Sequence, residues 1–384
     1  MDSVRIGIAG LGNMGAAHAA SLLAGNIRRL ELTAVCDPDP TKLARYPQLA
    51  AFFSADAMIA SGRIDAILVA TPHYDHTTVG IQALEAGLHV LVEKPISVHK
   101  ADCERLIAAH RNPRQVFAAM FNQRTDPYYR KLRELIVSGE LGAIRRVNWI
   151  ITNWFRPATY YASSAWRATW AGEGGGVLLN QCPHNLDLFQ WFFGLPVRVR
   201  AFCWFGRYHE IEVEDEVTAY LELAGGATGV FVTTTGEAPG TNRLEIAAEN
   251  GRIVYEDDRI QFLRNSMPAS EFSRTTAEAF ARPDATAELI AIPNHGGQHN
   301  EILQNFTDAI LDGQPLIAPA AEGARSVELA NAMLLSTWLD QTVELPLDAG
   351  LYARLLQQHA AASTFRKSVV ASASATNFAK SFGR

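Results

Sequence analysis

A lysine and a histidine are the side chains of this sequence that are best placed to move protons. Lys94 follows the apolar run 88–92 in Glu93-Lys94-Pro95, and open parallel sheets bind ligands beyond the ends of such buried strands. A lysine at that point can stabilise negative charge that develops on a reacting oxygen. The alternative interpretation is a strand-end salt bridge between Lys94 and Glu93.

The histidine, His184, comes after a glycine-rich stretch at 174–176 and directly follows Pro183. Because proline suits the first turn of a helix, where its missing N–H is not needed, a helix is predicted to begin at Pro183. The positive end of that helix would lower the pKa of His184 and keep the imidazole neutral, ready to accept a proton. Asn180 precedes the helix and is predicted to orient the imidazole or to hold a substrate hydroxyl. A purely structural histidine is the alternative.

A glycine motif near the N-terminus predicts the kind of ligand next to which Lys94 and His184 would act. The apolar run 4–9 leads into Gly10-x-Gly12-x-x-Gly15, and residues 16–23 have the pattern of a helix. Gly10 permits a tight turn, Gly12 lets the backbone approach a pyrophosphate, and Gly15 allows the helix to pack on the strand. The helix N-terminus offers unpaired N–H groups and a favourable dipole to phosphates, so this segment predicts a dinucleotide site.

Asp37 extends this prediction to the choice of cofactor. It follows the second apolar run, 30–36, about twenty residues past the last glycine, where an acidic side chain hydrogen-bonds a ribose 2′-hydroxyl. Its charge would repel a 2′-phosphate, so NAD is favoured over NADP. Two alternatives stay open. Asp37 could only start the turn that contains Asp39 and cap the next helix, and Lys42 could accommodate NADP.

Length and composition predict a two-domain enzyme. A chain of 384 residues exceeds one ordinary domain, and its 48% of apolar residues can fill large cores. Charged residues make up only 19%, which suggests that other subunits cover part of the surface. The net charge is −6 and no basic cluster is interleaved with aromatic residues, so nucleic acid is not expected as a partner.

Cysteine use and hydropathy predict a cytoplasmic protein. The four cysteines are scattered, without a C-x-x-C pair, so neither a zinc site nor a disulfide framework is expected. Reduced thiols fit a cytoplasmic location. No apolar stretch approaches the roughly eighteen residues that a membrane span needs. The first strand begins too early to leave room for a signal peptide.

The pattern of strands and helices changes once along the chain. Up to residue 122, short apolar strands alternate with helices, which predicts an α/β domain at 1–122 with a parallel, doubly wound (Rossmann) sheet. From residue 144 the strands lengthen and pair as hairpins, which predicts an α+β domain at 123–366 with a large, mostly antiparallel sheet. The other predicted segments are two late helices packed against that sheet, at 301–311 and 320–339, an irregular excursion at 265–298, and a loose tail or arm at 367–384.

The motifs together resemble those of a known enzyme family. The chain is identified as a member of the glucose–fructose oxidoreductase/inositol dehydrogenase (Gfo/Idh/MocA) family of NAD(P)-dependent oxidoreductases. The matching residues extend from the N-terminus to about residue 190, and the hairpin domain fits the remainder. They are Gly10-x-Gly12-x-x-Gly15, Thr71-Pro72 with His76, Ala86-Gly87-Leu88-His89-Val90 leading to Glu93-Lys94-Pro95, and Gly174-Gly175-Gly176 leading to His184 and Asp187.

The resemblance implies roles for single residues. Lys94 would hydrogen-bond the reacting hydroxyl and assist its deprotonation, and His184 would take the proton. With the glycine motif and Asp37, the cofactor-binding set becomes Gly10, Gly12, Asn13, Met14, Gly15, Asp37, Thr71, Pro72, His76, Glu93, Lys94, Asn122 and Arg124. The substrate-binding set is Lys94, Trp154, Trp166, Arg167, Asn180 and His184. No metal is expected.

Aromatic residues crowd the stretch before the glycines, and their role is open. Aromatic faces stack on the C–H faces of sugar rings, but aromatic residues also dominate protein cores and subunit interfaces. A few of them are therefore expected to touch a ligand. His295 and His299 are weaker candidates to close the pocket. The aromatic residues are Trp149, Trp154, Phe155, Tyr160, Tyr161, Trp166 and Trp170.

One departure from the family pattern concerns the proton acceptor. Many relatives carry an aspartate four positions before the histidine, where this chain has Asn180. An amide can hydrogen-bond a hydroxyl but cannot accept a proton, so the acid–base work shifts to His184 and Lys94. The identity of the base stays open.

The sequence as a whole predicts oxidation of a secondary hydroxyl of a sugar, sugar derivative or inositol, with hydride transfer to NAD. One alternative is a redox-neutral enzyme that oxidises a glycoside with bound NAD, eliminates or epimerises, and returns the hydride. Another is a non-catalytic sugar or nucleotide sensor. The expected partners are a small carbohydrate or cyclitol and further copies of the chain, in a homodimer or homotetramer formed through the C-terminal sheet. Neither a membrane nor a nucleic acid is expected.

Overall fold

The chain folds around two sheets that each have their own apolar core. A computed structural model describes residues 2–292 and 294–367. The tail or arm predicted at 367–384 therefore lies, apart from Lys367, outside the described residues. None of the described helices is long and apolar enough to cross a bilayer. The cytoplasmic location stays a prediction.

The first sheet is parallel and confirms the predicted Rossmann arrangement. Its strands are β1 (Val4–Ala9), β2 (Leu30–Cys36), β3 (Ala50–Phe52), β4 (Ala66–Val69), β5 (His89–Val92) and β6 (Phe117–Ala119). Its helices are α1 (Asn13–Leu23), α2 (Pro40–Leu43), α3 (Ala55–Ala60), α4 (His73–Glu85) and α5 (Lys100–Ala109). The strand order is β3-β2-β1-β4-β5-β6, so the order reverses between β1 and β4. Ligands of such sheets bind in the crevice at that reversal.

The second sheet is large and mostly antiparallel, as predicted. Its strands are β7 (Ile144–Ile151), β8 (Pro196–Phe205), β9 (Glu214–Leu223), β10 (Thr228–Thr234), β11 (Asn242–Ala248), β12 (Gly251–Glu256), β13 (Arg259–Asn265), β14 (Ala285–Ile290) and β15 (Val343–Glu344). They follow the order β14-β13-β12-β11-β7-β10-β9-β8-β15, and β7 and β10 are parallel neighbours. Both predicted hairpins, β9–β10 and β11–β12, are present.

The remaining helices link and cover the two sheets. After a 3-10 turn at Asn122–Thr125 they are α6 (Pro127–Val137), α7 (Ala158–Ala162), α8 (Pro183–Phe193), α9 (Ala269–Thr275), α10 (Gln298–Asp312), α11 (Ala320–Leu339) and α12 (Ala349–Ala362). Helix α8 begins at Pro183, as predicted, and is buried on nearly all sides. Helix α11 packs on β8, where the Ser336 hydroxyl accepts from the Ala201 N–H at 2.9 Å.

Three features of the second half differ from the sequence-based prediction. Helix α10 does not pack on the second sheet: its buried residues Ile302, Leu303 and Phe306 belong to the core of the first sheet. The segment 265–298 is not wholly irregular, because it contains α9 and the edge strand β14. The terminal helix α12 was not predicted. Amphipathic spacing shows that a helix has a buried face but does not show which sheet covers that face.

Candidate active site

The glycine loop between β1 and α1 lies at the carboxyl edge of the first sheet. Gly10 has a φ of +91°, and a Cβ there would lie 2.5 Å from the Ala70 carbonyl oxygen. A Cβ on Gly15 would lie 1.8 Å from the Gly10 oxygen, so the helix approaches this closely only without a side chain. At Gly12, a Cβ would have no heavy atom of the described chain within 4 Å, and no described side chain caps α1. The first N–H groups of α1, from Asn13 and Met14 onward, are therefore free to meet an anionic ligand.

Asp37 follows β2 directly and contacts the glycine loop. Its buried carboxylate accepts hydrogen bonds from the Leu11 N–H at 2.8 Å and the Asp39 N–H at 3.0 Å, and pairs with Lys42 Nζ at 3.0 Å. The N-cap of α2 is Asp39, whose side chain accepts from the Thr41 N–H, so helix capping does not explain Asp37. The acidic side chain is fixed beside the loop, and its contact with a ribose stays a prediction.

Glu93 follows β5 and is held by histidines from other elements. His18 Nε2, on α1, lies 2.6 Å from Glu93 Oε1, and both side chains are buried. His299, in the first turn of α10, meets His18 edge-on with ring centroids 5.6 Å apart, and burial lowers the pKa of His299 to about 4. Burial alone would raise the pKa of Glu93, but the hydrogen bond and charge of His18 outweigh it and lower the pKa to about 2. Glu93 is therefore an anion fixed between β5, α1 and α10.

His76 lies between the loop after β4 and the loop after β5. Its Nδ1 lies 2.7 Å from the Pro95 carbonyl oxygen and its Nε2 lies 2.9 Å from the Thr71 carbonyl oxygen. Burial lowers the pKa of His76, and a neutral imidazole donates through one nitrogen at a time. With both ring nitrogens facing backbone carbonyls, the neutral His76 donates either to the Thr71 oxygen or to the Pro95 oxygen, according to its tautomer. The Thr71 hydroxyl is itself buried without a hydrogen-bond partner in the described chain.

Lys94 reaches from the first sheet to the loop that precedes α8. Its Nζ donates to the carbonyl oxygen of Asn180 at 2.8 Å. Burial lowers the pKa of Lys94, whereas the carboxylates of Glu93 and Glu173 act in the opposite direction. This hydrogen bond brings the predicted lysine and the segment of the predicted histidine together.

His184 lies in the first turn of α8, as predicted, and its ring meets Phe121 edge-on with centroids 6.2 Å apart. It is buried, and its Nδ1 has no hydrogen-bond partner among residues 2–292 and 294–367. Its pKa is well below the ordinary value, first because of burial and then because of the charge on Lys94. Burial, and not the helix end that the sequence analysis invokes, is the main cause of this lowered pKa.

Beside Lys94, four side chains form a closed set of polar contacts, the polar ring: Glu173, Asn180, Tyr160 and Arg167. Arg167 Nη1 donates to the Tyr160 hydroxyl at 2.5 Å, and this hydroxyl donates to Asn180 Oδ1 at 3.1 Å. Asn180 Nδ2 donates to Glu173 Oε1, and Arg167 Nη1 lies 3.8 Å from the same oxygen. The Ala168 N–H donates to the other Glu173 oxygen at 2.6 Å. The ring turns the amide oxygen of Asn180 away from Glu173 and toward Tyr160.

Tyr160 is the aromatic member of the polar ring, and Trp166 adjoins the ring through Arg167. The Arg167 guanidinium lies 4.3 Å from the Tyr160 ring centroid and 4.9 Å from that of Trp166. Trp154 lies in the core of the second sheet, where its indole N–H donates to Asn185 at 3.3 Å, and the Arg156 guanidinium lies 5.5 Å from its ring centroid and 5.2 Å from that of Tyr160. Trp149, Tyr161 and Trp170 also lie in the core of the second sheet, and Phe155 is exposed.

Arg124 lies in a buried ion pair between helices. Its guanidinium donates to both Asp187 oxygens, at 2.6 and 2.7 Å, and to Glu322 at 2.5 Å. It joins α8, through Asp187 one turn after His184, to α11 through Glu322. Asn122, from the same turn, donates through Nδ2 to Gln298 Oε1 at 2.8 Å, while its Oδ1 is buried without a partner within the described ranges. The cofactor contact predicted for Arg124 gains no support from its position.

Several buried polar atoms of the candidate site lack a hydrogen-bond partner in the described chain. An unpaired buried polar atom costs about 1–3 kcal/mol, so a polar ligand that pairs with these atoms would stabilise the site. The uncapped end of α1 suits phosphates, and the unpaired side-chain oxygens suit the hydroxyl and amide donors of a dinucleotide. The residues therefore fit NAD. The atoms are Thr71 Oγ1, Asn122 Oδ1, Gln123 Oε1, Arg167 Nε and His184 Nδ1.

The described cysteines and carboxylates do not converge on a further reactive centre. No group of histidine, cysteine and carboxylate side chains in the described residues has the arrangement of a metal site. Cys36, Cys103, Cys182 and Cys203 are free and buried. Burial raises the pKa of Cys182 to about 12, so this thiol stays protonated and is a poor nucleophile.

The sequence-based prediction missed His18 and Glu173. Helical spacing carried a signal for His18, because it lies three residues after Gly15 on the face of α1 that turns toward the sheet. Glu173 directly precedes the glycine stretch but has no motif of its own, and only the fold brings it to Asn180. His299, a weak candidate in the sequence, lies next to the His18–Glu93 pair.

Two domain models of one family match this chain. The model described as an oxidoreductase family with an NAD-binding Rossmann fold matches residues 4–121. The model described as the GFO/IDH/MocA C-terminal domain matches residues 129–254. The two ranges fall on the two halves that the strand pattern separates.

Comparison with individual proteins also finds dehydrogenases. An inositol 2-dehydrogenase of Leifsonia xyli subsp. xyli is 30% identical over 198 residues, which are 50% of this chain and 55% of that protein. The match thus spans about half the length of the curated relatives. The crystal structure of the WlbA dehydrogenase from Bordetella pertussis in complex with NADH and UDP-GlcNAcA has a TM-score of 0.75 at 25% identity, over 90% of this chain and 100% of that one. A levoglucosan dehydrogenase in complex with NADH shares the fold, with a TM-score of 0.73 at 21% identity over 90% and 100% of the two chains.

Proposed function

The chain belongs to the Gfo/Idh/MocA family of oxidoreductases, and from that premise we propose that it oxidises a secondary hydroxyl of a sugar, sugar derivative or inositol with NAD. One observation carries the proposal: His184 is a buried, neutral imidazole beside Lys94, at the carboxyl edge of a dinucleotide-binding sheet. The names of two relatives support the substrate class, because one is an inositol 2-dehydrogenase and the other was crystallised with a nucleotide sugar.

The residues that would hold NAD line the edge of the first sheet. The N–H groups at the start of α1 would bind the pyrophosphate, and Asp37 would bind the hydroxyls of one ribose. Glu93 and Thr71 would contact the cofactor at its other ribose. When bound, NAD supplies the nicotinamide ring that accepts the hydride. The preference for NAD over NADP is supported by the charge of Asp37 and by its pairing with Lys42, the cation that would otherwise be free to attract a 2′-phosphate.

The substrate side would supply proton transfer and orientation. His184 is neutral at physiological pH because its pKa is lowered, so it can accept the hydroxyl proton. Lys94 would donate a hydrogen bond to the same oxygen and stabilise its negative charge while the proton leaves. Asn180 Oδ1 and Arg167 would hold neighbouring hydroxyl groups. This set needs no acidic side chain at position 180.

A second copy of the chain is proposed to cover the outer face of the second sheet. The face turned away from α8 and α11 carries large apolar side chains that are exposed: Phe202 (54%), Trp204 (55%) and Tyr220 (44%). Exposed apolar patches of this kind mark association surfaces. Sedimentation of the wild type and of a Trp204→Lys variant tests this. Dimers or tetramers that dissociate in the variant support the proposal, and a monomeric wild type contradicts it.

The experiment that tests the activity measures nicotinamide absorbance with NAD and, separately, with NADP. The substrates are a panel of inositols, monosaccharides, anhydrosugars and glycosides. Steady formation of NADH from one of them supports a dehydrogenase, and the ratio of the two cofactors tests Asp37. Loss of substrate without net NADH would replace the proposal with the redox-neutral alternative. A protein that binds NAD but converts nothing in the panel would speak against this substrate class.

A further inference from the structure

We propose that Glu173 is a positioning residue that fixes which groups on the substrate side of this site donate hydrogen bonds and which accept them. The inference deepens the proposed function, because Glu173 acts on the groups that would meet the substrate. Glu173 lies in the loop before the glycine stretch, yet its side chain is only 2% exposed. A carboxylate taken that far out of water needs specific partners, so its contacts show what it holds in place.

All the groups around the Glu173 carboxylate are donors. Oε2 accepts from the Ala168 N–H at 2.6 Å, and Oε1 accepts from Asn180 Nδ2 while Arg167 Nη1 lies 3.8 Å away. An ionised carboxylate can only accept hydrogen bonds. Asn180 must therefore present its NH2 group to Glu173, and its amide oxygen must point the other way.

That orientation makes the other end of Asn180 an acceptor. Its Oδ1 accepts from the Tyr160 hydroxyl at 3.1 Å and from Gln181 Nε2 at 3.2 Å. A substrate group that replaces one of these donors must itself be a donor, which selects a hydroxyl over an ether or a carbonyl oxygen. A glutamine at position 173 could donate as well as accept, so the amide of Asn180 would no longer be held in one orientation.

Glu173 also acts on Lys94 through charge. Lys94 Nζ is bonded to the backbone oxygen of Asn180, the residue that Glu173 holds by its side chain. Burial lowers the pKa of Lys94, and Glu93 and Glu173 are the carboxylates that oppose this effect. Glu93 is paired with His18 and Glu173 lies 3.8 Å from Arg167, so each of the two carboxylates acts on Lys94 while it also has a basic partner of its own.

Other titratable groups contribute to the field at these two residues. Those that act on Lys94 or respond to its charge are Glu93, Glu173, Arg156, Arg167, His73, His184, His299 and Cys182. Those that act on Glu173 or respond to its charge are Lys94, Arg167, Lys367, Tyr160, Tyr161 and Glu214.

The test measures the reactivity of Lys94 by competitive acetylation with acetic anhydride and mass spectrometry of the peptide that contains it. Only the free amine reacts, so the rate across a pH series reports the pKa of Lys94 in the whole protein without a substrate. In Glu173→Gln we expect the rate of Lys94 acetylation at pH 8 to rise at least about threefold relative to the other lysines, since about half a pKa unit changes the free-amine fraction by that factor.

Glu214→Gln is the matched control. Glu214 is another buried glutamate of the same region, but it accepts from the Gly176 and Leu178 N–H groups, at 2.8 and 3.0 Å, instead of from Asn180. Its substitution perturbs the glycine stretch without removing the partner of Asn180. We expect Lys94 in this variant to react as in the wild type. Glu173→Asp, which keeps the charge, should restore most of the wild-type rate.

Each outcome decides the proposal. A folded Glu173→Gln variant with unchanged Lys94 reactivity overturns it, and so does an equal change in Glu214→Gln. If neither Glu173 variant folds, Glu173 is a structural residue and the positioning role is wrong. NAD titration by tryptophan fluorescence separates this result from the proposed function. A wild type that does not bind NAD would contradict the proposed function. The acetylation result does not depend on NAD, so it would still test the role of Glu173.

Discussion

The two sides of the candidate site each contain a buried glutamate, and the two glutamates differ in how they are held. On the cofactor side, Glu93 has a histidine 2.6 Å away, and its pKa falls to about 2. On the substrate side, Glu173 is surrounded by an amide, a backbone N–H and a more distant arginine, and burial raises its pKa. A short hydrogen bond from a buried histidine thus offsets the cost of burying Glu93, whereas the amide, the backbone N–H and the more distant arginine offset the cost of burying Glu173 only in part.

The two sides also differ in how they are assembled. The glycine loop, Asp37 and Glu93 all follow strands of one parallel sheet, so a single framework positions them. The polar ring comes from α7, which contains Tyr160, and from the loop between α7 and α8. Specificity commonly lies in loops that a rigid scaffold presents. We therefore expect the cofactor side to resemble other family members more closely than the substrate side does.

The largest expected effect comes from Lys94, which joins the two sides. Lys94→Met keeps the side-chain length but removes the charge. Turnover of the substrate identified by the panel should fall on the order of 10³-fold, because the developing negative charge loses its hydrogen-bond donor. NAD binding, followed by tryptophan fluorescence, should persist. Lys131→Met, at an i,i+3 surface pair with Glu134, is the control. Normal turnover in Lys94→Met would end the catalytic assignment.

A smaller loss is expected at His184, together with a defined pH dependence. His184→Gln should reduce kcat/KM by about 10²-fold, the range of one proton-transfer group. The active imidazole is neutral, and its pKa lies well below 6.5, so activity should hold as the pH falls to 6.5 and decline only below that. His110→Gln, far from the site and bonded to the Gln115 carbonyl oxygen, should keep the wild-type profile. An acid limb centred above pH 6.5 would contradict this assignment.

The difference between Glu93 and Glu173 is tested by the free energy of unfolding of variants at each position. The folded pKa of Glu93 is about 2 against an ordinary 4.5, so its stabilising contribution is present above pH 4.5 and is lost as the pH falls toward 2. Glu93→Gln should therefore lower the free energy of unfolding at pH 7 by ~3 kcal/mol. The raised pKa of Glu173 has the opposite sign: its contribution is present below pH 4.5 and is lost as the pH rises.

Glu173→Gln should accordingly leave the unfolding free energy at pH 7 unchanged or slightly higher. Urea unfolding midpoints of both variants at pH 7 and at pH 4 provide the measurement. The deficit of Glu93→Gln should shrink at the lower pH. Equal destabilisation by the two substitutions would show that the difference in partners has no energetic consequence.

The smallest predicted effect concerns cofactor choice. In Asp37→Ser the repulsion of a 2′-phosphate is removed and Lys42 loses its partner. The preference for NAD over NADP should fall by about tenfold, or ~1.4 kcal/mol, in paired fluorescence titrations. Asp39→Ser keeps a residue able to cap α2 and should leave the preference unchanged. An unaltered ratio in Asp37→Ser would remove Asp37 from the cofactor site.

Much of the first half was predictable because its signals are local. The strand before Gly10, the helix after Gly15 and the acidic residue after β2 are each encoded within a short segment. The start of α8 at Pro183 and the hairpin at Asn250-Gly251 are local as well. The destination of α10 was not predictable, because its apolar face would fit either sheet.

The sequence by itself determined the Rossmann half and the antiparallel character of the second sheet, and it singled out Lys94 and His184 as candidate catalytic residues. Local propensity, turn residues and hydrophobic period carry that information. Only the tertiary structure decided which charged groups become partners. His18 pairs with Glu93, and Glu173 accepts a hydrogen bond from Asn180. Arg124 forms ion pairs with Asp187 and Glu322. These contacts join residues distant in the chain or on unrelated elements. A charge in a sequence becomes a paired, buried or exposed group only when packing sets its neighbours and removes its water.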